Sequence, residues 1–354
     1  MASHNRILVI RTDRIGDVVL ATPLIRALRQ SFPDAFIAAM VRPYTKEVLQ
    51  SNPNLNEIIE DDYEGEDKGA RRFWRQVERL KAYRFDTALL LLPTERAAWM
   101  LFFAGVKHRI TTSMRLYTVL TGMRSVLRHK YNPIRHEADY CLDLGRRIGV
   151  HTNDLSTEVF LSEEERKEGK EFLSSHGVKE TDTLLGIHPG SGRSSPNWPV
   201  ERYAELAARF INYANLKTVV TGGKNEQHFW SHFERLRSGN IVNLIGKLTL
   251  RQLMSTISHY DCLLSPSTGP MHIAAALKVP TVSLFTSLPA CSPELWGPKG
   301  NQSEVLRPPE GFCQVKCEID PKKCTLGGIE VESVYRAVLR FVSQSAEAAT
   351  APQP

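Results

Sequence analysis

Runs of consecutive apolar residues, each followed by an amphipathic segment, constrain this chain more than any other feature. The runs ILVIR (7–11), FIAAMV (36–41), NEIIE (56–60) and DTALLLL (86–92) lack the strict polar alternation of a strand with one wet face. A strand covered on both faces reads this way, and that cover comes from helices packed on a parallel sheet. The intervening spacing predicts helices over 17–31, 44–51, 68–83 and 95–104. Near residue 161 the pattern restarts with the charged helix SEEERKEGKEFLSSHG (162–177). Strands are then expected in TLLGIHPG (183–190), KTVVTGG (217–223), IVNLIG (241–246), DCLLSPS (261–267) and PTVSLFT (280–286). Helices are expected over 199–214, 225–237, 249–258, 269–277 and near 330–344. A length of 354 residues is long for one core. The expectation is therefore two doubly wound α/β domains, 1–160 and 161–345, and a disordered tail over 346–354. Ligands bind such sheets at the C-terminal ends of their strands, so a cleft between the two domains is the expected site.

Lys and Arg number 45 against 39 Asp and Glu, a net charge of +6. This mild excess suits an anionic substrate or a membrane surface. No nucleic-acid recognition motif accompanies it, so a nucleic-acid partner is not expected. The start MASHNRILVIR enters a strand without a signal peptide's basic start and apolar core. No apolar run reaches the roughly 18 residues that span a bilayer. The sequence thus predicts a cytoplasmic chain whose six cysteines are mostly reduced.

Three strand ends in the second half carry small, donor-rich turns. In SPSTGPMHIAAAL (265–277), Ser267, Thr268 and Gly269 lead into a helix with Pro270 in its first turn. Thr268 or Ser267 suits the N-cap, while free backbone N–H groups, the hydroxyls and His272 suit an anion. In TGGKNE (221–226), Gly222 and Gly223 permit close approach of a ligand. Glu226 either caps the next turn or holds a pair of sugar hydroxyls. In HPGSGRSSPNWP (188–199), Ser191 and its neighbours leave a third strand. Together the three turns predict a nucleotide diphosphate. Neither GxGxxG nor the Walker sequence occurs, which argues against a nicotinamide enzyme and a P-loop NTPase.

The first half differs. In DRIGDVV (13–19) a single glycine, Gly16, is followed by the carboxylate of Asp17. An acid is a poor host for phosphate, so this joint needs another purpose.

The segments IRTDRIGDVVLATPLIRALRQSFPDA, HPGSG…NWP, TGGKNE and STGPMHIAAALKVPTVSLF, in this order, resemble glycosyltransferase family 9, the heptosyltransferases of lipopolysaccharide core synthesis. The resemblance covers nearly the whole chain. It implies a GT-B fold and transfer of heptose from an ADP-activated donor to an anionic glycolipid of the Kdo-lipid A type. It also implies inversion at the anomeric carbon and no cofactor or required metal; the sequence contains no Asp-x-Asp. The acid of the family's GD pair is the catalytic base, which falls on Asp17. Transfer needs a base for the incoming hydroxyl's proton; the competing role for Asp17 is a helix N-cap, and Asp13 is the substitute base. Two positions depart from the family pattern. Pro196 stands where a basic residue precedes the Trp, leaving Arg193 or Lys224 to face the phosphates. Ser267 stands where an acid or amide precedes Thr-Gly.

Between Arg96 and His136 there is no acid, while Arg96, Lys107, Arg109, Arg115, Arg124, Arg128, Lys130 and Arg135 are interleaved with apolar residues. Lys68, Arg71, Arg72, Arg75, Arg79 and Lys81 form a second basic face. Such a mixture suits an anionic lipid surface and a phosphorylated sugar, placing the protein peripherally on the inner face of the cytoplasmic membrane. Arg14, Gly16, Arg71, Arg72 and Arg96 are the candidate acceptor residues. Cys291, Cys313, Cys317 and Cys324 lack the paired spacing of a zinc site, and unpaired structural thiols are expected. The remaining readings are a transferase of another nucleotide sugar or a non-lipid acceptor, a non-catalytic sugar-nucleotide binder, and an epimerase of similar architecture.

Overall fold

The computed structural model describes residues 4–65, 69–112, 114–128, 132–192, 194–236, 238–312 and 324–350, with side chains through 343. The chain divides into two units, Met1–Phe160 and Leu161–Pro354.

In the first unit the apolar strand β1 (Arg6–Ile10) leads to the short helix α1 (Ile15–Val19) and then to α2 (Thr22–Ser31). The expected single helix over 17–31 is interrupted at Leu20 and Ala21. Pro23, which cannot donate to the preceding turn, starts a second helix instead. α2 buries Leu24, Ile25 and Leu28, and its Arg26 reaches across to Glu158. The chain continues through β2 (Phe36–Val41), α3 (Lys46–Leu49), β3 (Glu57–Glu60), α4 (Ala70–Tyr83), β4 (Thr87–Leu90) and α5 (Glu95–Phe103). It ends with β5 (His108–Thr111), α6 (Leu116–Leu120), β6 (Arg124–Ser125) and α7 (Glu137–Arg146). The last four elements lie outside the expected set, because their apolar runs are short. α7 packs on α2 at Gly145, where a Cβ would come 2.7 Å from Leu24 Cδ1.

The second unit starts with α8 (Glu163–Ser175), capped by the Ser162 hydroxyl and the Glu165 carboxylate. Then follow β7 (Thr183–Ile187), α9 (Val200–Phe210), β8 (Leu216–Val220) and α10 (Trp230–Glu234). β9 (Ile241–Asn243), α11 (Leu250–Ile257), β10 (Cys262–Pro266) and α12 (Gly269–Ala276) come next. β11 (Thr281–Leu284), α13 (Pro293–Trp296), β12 (Ser303–Leu306) and α14 (Val331–Thr350) complete it. The helix expected over 225–237 begins instead as a 3-10 segment, Lys224–Phe229. α14 extends to Thr350, so part of the stretch expected as a tail is helical; its Ala and Glu residues favour that state. Residues 351–354 lie outside the described residues.

Both sheets are six-stranded and parallel, in the orders β3-β2-β1-β4-β5-β6 and β12-β11-β10-β7-β8-β9. Renumbered from its own first strand, the second sheet has the 3-2-1-4-5-6 order of the first. The winding direction therefore reverses between β1 and β4 in one unit and between β7 and β10 in the other. Loops on either side of that reversal part, leaving a crevice at the strand ends. Each unit has its own core, around Leu8, Ile10, Met40 and Leu90 in the first and around Ile187, Leu206, Phe210 and Leu264 in the second. Among the described residues no helix is long and apolar enough to cross a membrane.

Candidate active site

The end of β1, at the reversal point of the first unit, carries Arg11, Asp13 and Asp17. Arg11 is almost fully buried and divides its guanidinium among three carboxylates. Nε lies 2.9 Å from Asp13 Oδ1, Nη2 donates to Asp17 Oδ1 at 2.7 Å, and Nη1 donates to Glu137 Oε1 at 3.0 Å. Glu137 is the first residue of α7 and is itself buried; its second oxygen takes Arg128. The Arg128 guanidinium stacks on Tyr140, 4.5 Å from the ring centre. A buried ion is tolerated only when its remaining valences are met; three acids meet at Arg11, and of these Glu137 has a second arginine, Arg128. Asp13 shows the strain of that crowding. Burial and the neighbouring Asp17 push its carboxyl up to about 7, while Arg11 pulls it down. Near neutrality Asp13 thus holds a proton part of the time, which leaves the arginine to Asp17 and Glu137.

Asp17 keeps part of its side chain in water. It is not the N-cap of α1. That position belongs to Arg14, and Asp17 at the third helical position reaches back to accept the Arg14 N–H at 3.3 Å. The reason is geometric: an N-cap precedes the helix, whereas Asp17 lies inside it. Its second oxygen is fixed by Arg11, so the carboxylate is oriented from two sides. Tyr44, half exposed, donates to the Asp13 carbonyl at 2.9 Å.

Of the candidate acceptor residues, Arg14 and Gly16 adjoin Asp17 directly. Arg71 and Arg72 lie in the first turn of α4. Arg96 donates to the buried Asp61 at 2.5 Å, so part of its charge is engaged within the fold. Lys68 and Lys130 lie outside the described residues. Sequence reasoning missed Arg11 and Glu137. The basic residue that ends an apolar strand was a usable signal for Arg11. Glu137, in HEADY, carries none.

In the second unit the loops after β7, β8 and β10 are tied together. The Glu226 carboxylate accepts the Gly223 N–H at 2.7 Å, which is the capping role. It also lies directly on Gly190, where a Cβ would come 1.8 Å from Oε1. Only glycine admits that approach. Ser191 accepts no role as an isolated hydroxyl: its Oγ donates to the Ser195 carbonyl at 2.8 Å, and Ser195 Oγ donates to the Ser267 carbonyl at 2.6 Å. His188 Nδ1 sits 2.9 Å from Thr221 Oγ1, and burial pushes its pKa down to about 4, so the ring is neutral. Thr268 occupies the N-cap position of α12, yet its hydroxyl makes no capping bond. The first-turn N–H groups of α12 are thus uncapped by that side chain, as an anion-binding helix start requires. His272 is buried in the same helix. Gly222 lies at the β8 end, and Lys224 is exposed at the start of the 3-10 segment. Arg193 lies outside the described residues.

Trp198 of the NWP segment is a core residue, its indole donating to the Ile329 carbonyl at 3.0 Å. Cys324 is buried and Cys291 half-buried, both as free thiols; Cys313 and Cys317 lie outside the described residues. No group of three metal-ligating side chains occurs among the described residues.

Two Rossmann-like units in one chain form a GT-B fold, with an oriented acid at one reversal point and a cluster of small polar turns at the other. The family model for glycosyltransferase family 9 (heptosyltransferase) matches residues 72–323, and the chain belongs to that family. It is 26% identical over 319 residues to lipopolysaccharide heptosyltransferase 2 of Salmonella typhimurium, covering 88% of this chain and 90% of that one. The glycosyltransferase family 9 structure from Veillonella parvula superposes with a TM-score of 0.83 at 26% identity, covering 96% and 98% of the two chains. The structure of Escherichia coli ADP-heptose lps heptosyltransferase II gives a TM-score of 0.77 at 23% identity, with 96% and 99% coverage.

Proposed function

We propose that this enzyme transfers heptose from ADP-heptose to the inner core of lipopolysaccharide, with inversion, using Asp17 as general base. The donor sugar and glycolipid acceptor are supported by the names of similar proteins, a lipopolysaccharide heptosyltransferase 2 and an ADP-heptose lps heptosyltransferase II. The base assignment is supported by one observation above all: a partly solvated carboxylate at the reversal point, oriented through Arg11 and the Arg14 N–H. In this reading Asp17 accepts the proton of the acceptor hydroxyl as its oxygen bonds to the anomeric carbon. The bond to the β-phosphate oxygen breaks on the opposite face, and ADP leaves. The uncapped start of α12, Thr268, Gly269, His272 and Lys224 bear the diphosphate's charge. Gly222, Gly223 and Glu226 hold the nucleoside side, with Ser191 and Ser267 shaping the pocket. Arg14, Gly16, Arg71, Arg72 and Arg96 meet the anionic acceptor. The second unit, 161–345, is thus the donor domain and the first, 1–160, the acceptor domain, working peripherally at the inner membrane face.

Pro196 and Ser267, which depart from the family pattern, favour one variant of this reading: the same chemistry on a different activated sugar. Incubating the purified enzyme with a Kdo-bearing acceptor and a panel of nucleotide sugars, read by mass spectrometry, tests both. A heptosylated product with ADP-heptose alone supports the proposal. Product formation with another donor transfers the assignment to that sugar, and no product with any donor defeats it.

A further inference from the structure

α6 is folded inside out for a helix in contact with water. Thr118 is buried within it, its hydroxyl donating to the Arg115 carbonyl at 2.6 Å, and Thr121 just beyond its end is buried as well. Tyr117 is turned inward, donating to the Pro93 carbonyl at 2.9 Å. The apolar side chains point out instead: Leu116 is 75% exposed, Val119 67% and Leu120 57%. Met114 and Leu127, on the flanking segments, are 72% and 65% exposed. Scattered surface leucines need no explanation, but five in fourteen residues form a patch.

The patch continues onto α5 and α4. Arg109 donates to the Thr121 carbonyl at 2.9 Å while its guanidinium covers Phe102, 5.6 Å from the ring centre. Phe102 and Phe103 are about two-fifths exposed, and Phe103 packs 4.9 Å from the half-exposed Trp74 of α4. Large aromatic rings with one wet edge are the side chains of a membrane interface. Charge then selects the occupant. Exposed Lys107, Arg115 and Arg124 stand among these residues, and no acid occurs between Arg96 and His136. Two copies meeting through this face would set cation against cation, whereas anionic headgroups complement it.

We infer that the surface formed by α6, its flanking segments and the outer faces of α5 and α4 docks the enzyme on an anionic phospholipid bilayer. Leu116, Val119 and Leu120 enter the headgroup boundary, and Arg115 and Arg124 engage the phosphates. This deepens the proposed function, since it rests on a lipid-borne acceptor, and it names the contact that carries the enzyme to that acceptor.

The full-length protein is tested by co-sedimentation with phosphatidylcholine vesicles, with and without phosphatidylglycerol. Binding is expected only with the anionic lipid and should weaken as salt rises. Each apolar side chain that enters the boundary raises partitioning by roughly tenfold, so Leu116→Ser/Val119→Ser/Leu120→Ser should lower it by about 100-fold or more. Should that variant lose its fold, Arg115→Glu/Arg124→Glu serves instead and should abolish the preference for anionic vesicles. Transfer to a deacylated, water-soluble acceptor should be unchanged in both. No binding of the wild type to anionic vesicles, or equal binding of folded variants, overturns the inference. A wild-type dimer that the serine variant dissolves assigns the face to a second copy and also overturns it. Loss of transfer to the soluble acceptor by the wild type, with vesicle binding intact, counts against the proposed function and leaves the docking surface standing.

Discussion

Asp17→Asn separates a catalytic acid from a structural one, because the structure sets the expected size of both effects. The amide keeps the shape but only one oxygen: it can still accept from Arg11 Nη2, 2.7 Å away in the wild type, while its NH2 replaces the oxygen that takes the long, exposed bond from the Arg14 N–H at 3.3 Å. The charged hydrogen bond to Arg11 weakens to a neutral one, at a cost of about 1 kcal/mol. Against that, one of the three acids around Arg11 loses its charge, and Asp17 is among the groups that push Asp13 up. The two effects oppose each other, so stability should change by less than about 1 kcal/mol, or about 3 °C in Tm. ADP affinity should be unchanged within about twofold, since the loops assigned to the donor belong to the other unit. Loss of a general base costs about 100- to 10,000-fold in turnover, equivalent to roughly 3–5 kcal/mol at the transition state. The assay is initial-rate kinetics by mass spectrometry at saturating donor, with a thermal melt and ADP titration on the same preparation. A folded, ADP-binding variant that keeps more than about a tenth of wild-type turnover refutes the assignment. A melt lowered by more than about 8 °C would instead make Asp17 a structural residue.

Arg11→Lys retains the charge, but one ammonium cannot direct separate bonds to Asp13, Asp17 and Glu137. Turnover should fall at least about tenfold and Tm by several degrees, with ADP affinity intact; unchanged turnover would show that the orientation of Asp17 is irrelevant. Asp13→Asn tests the raised pKa. Its carboxyl titrates near 3.8 in the unfolded chain and at about 7 in the folded one, so its ionisation costs stability progressively as pH rises between those values. The variant should be more stable than wild type by up to ~4 kcal/mol at pH 8 and no more stable at pH 3.5. Urea unfolding across that range measures it, and a pH-independent difference contradicts the assignment. Gly190→Ala would drive a methyl into the Glu226 carboxylate, which must leave the Gly223 N–H. A loss of about 1–3 kcal/mol in stability and weaker ADP binding by titration are expected; intact ADP affinity would remove this junction from the donor site.

Much of this architecture is written locally. Continuous apolar runs such as ILVIR and FIAAMV announce strands buried on both faces, and the small turns at 188–195, 221–226 and 267–269 announce the loop cluster of the second unit. The single glycine followed by Asp17 likewise marks its joint without any tertiary information. Those signals are legible because they depend on neighbours within a few residues. The strands β5, β6 and β12 escaped notice because their apolar runs are short, whether they lie inside the sheet, as β5 does, or at its edge. The division of the first helix turned on where Pro23 fell in the helical register.

What the tertiary structure alone decided is the electrostatic setting of the acid. Arg11 and Glu137 are 126 positions apart, and nothing in either local sequence requires the other. The strand order that puts β1 beside β4 places Asp17 at the winding reversal, and α7 packed on α2 delivers Glu137 to the same arginine. Periodicity and turn chemistry act along the chain, so the sequence yields them by inspection. Charge acts through space, and its partners exist only after the chain has closed.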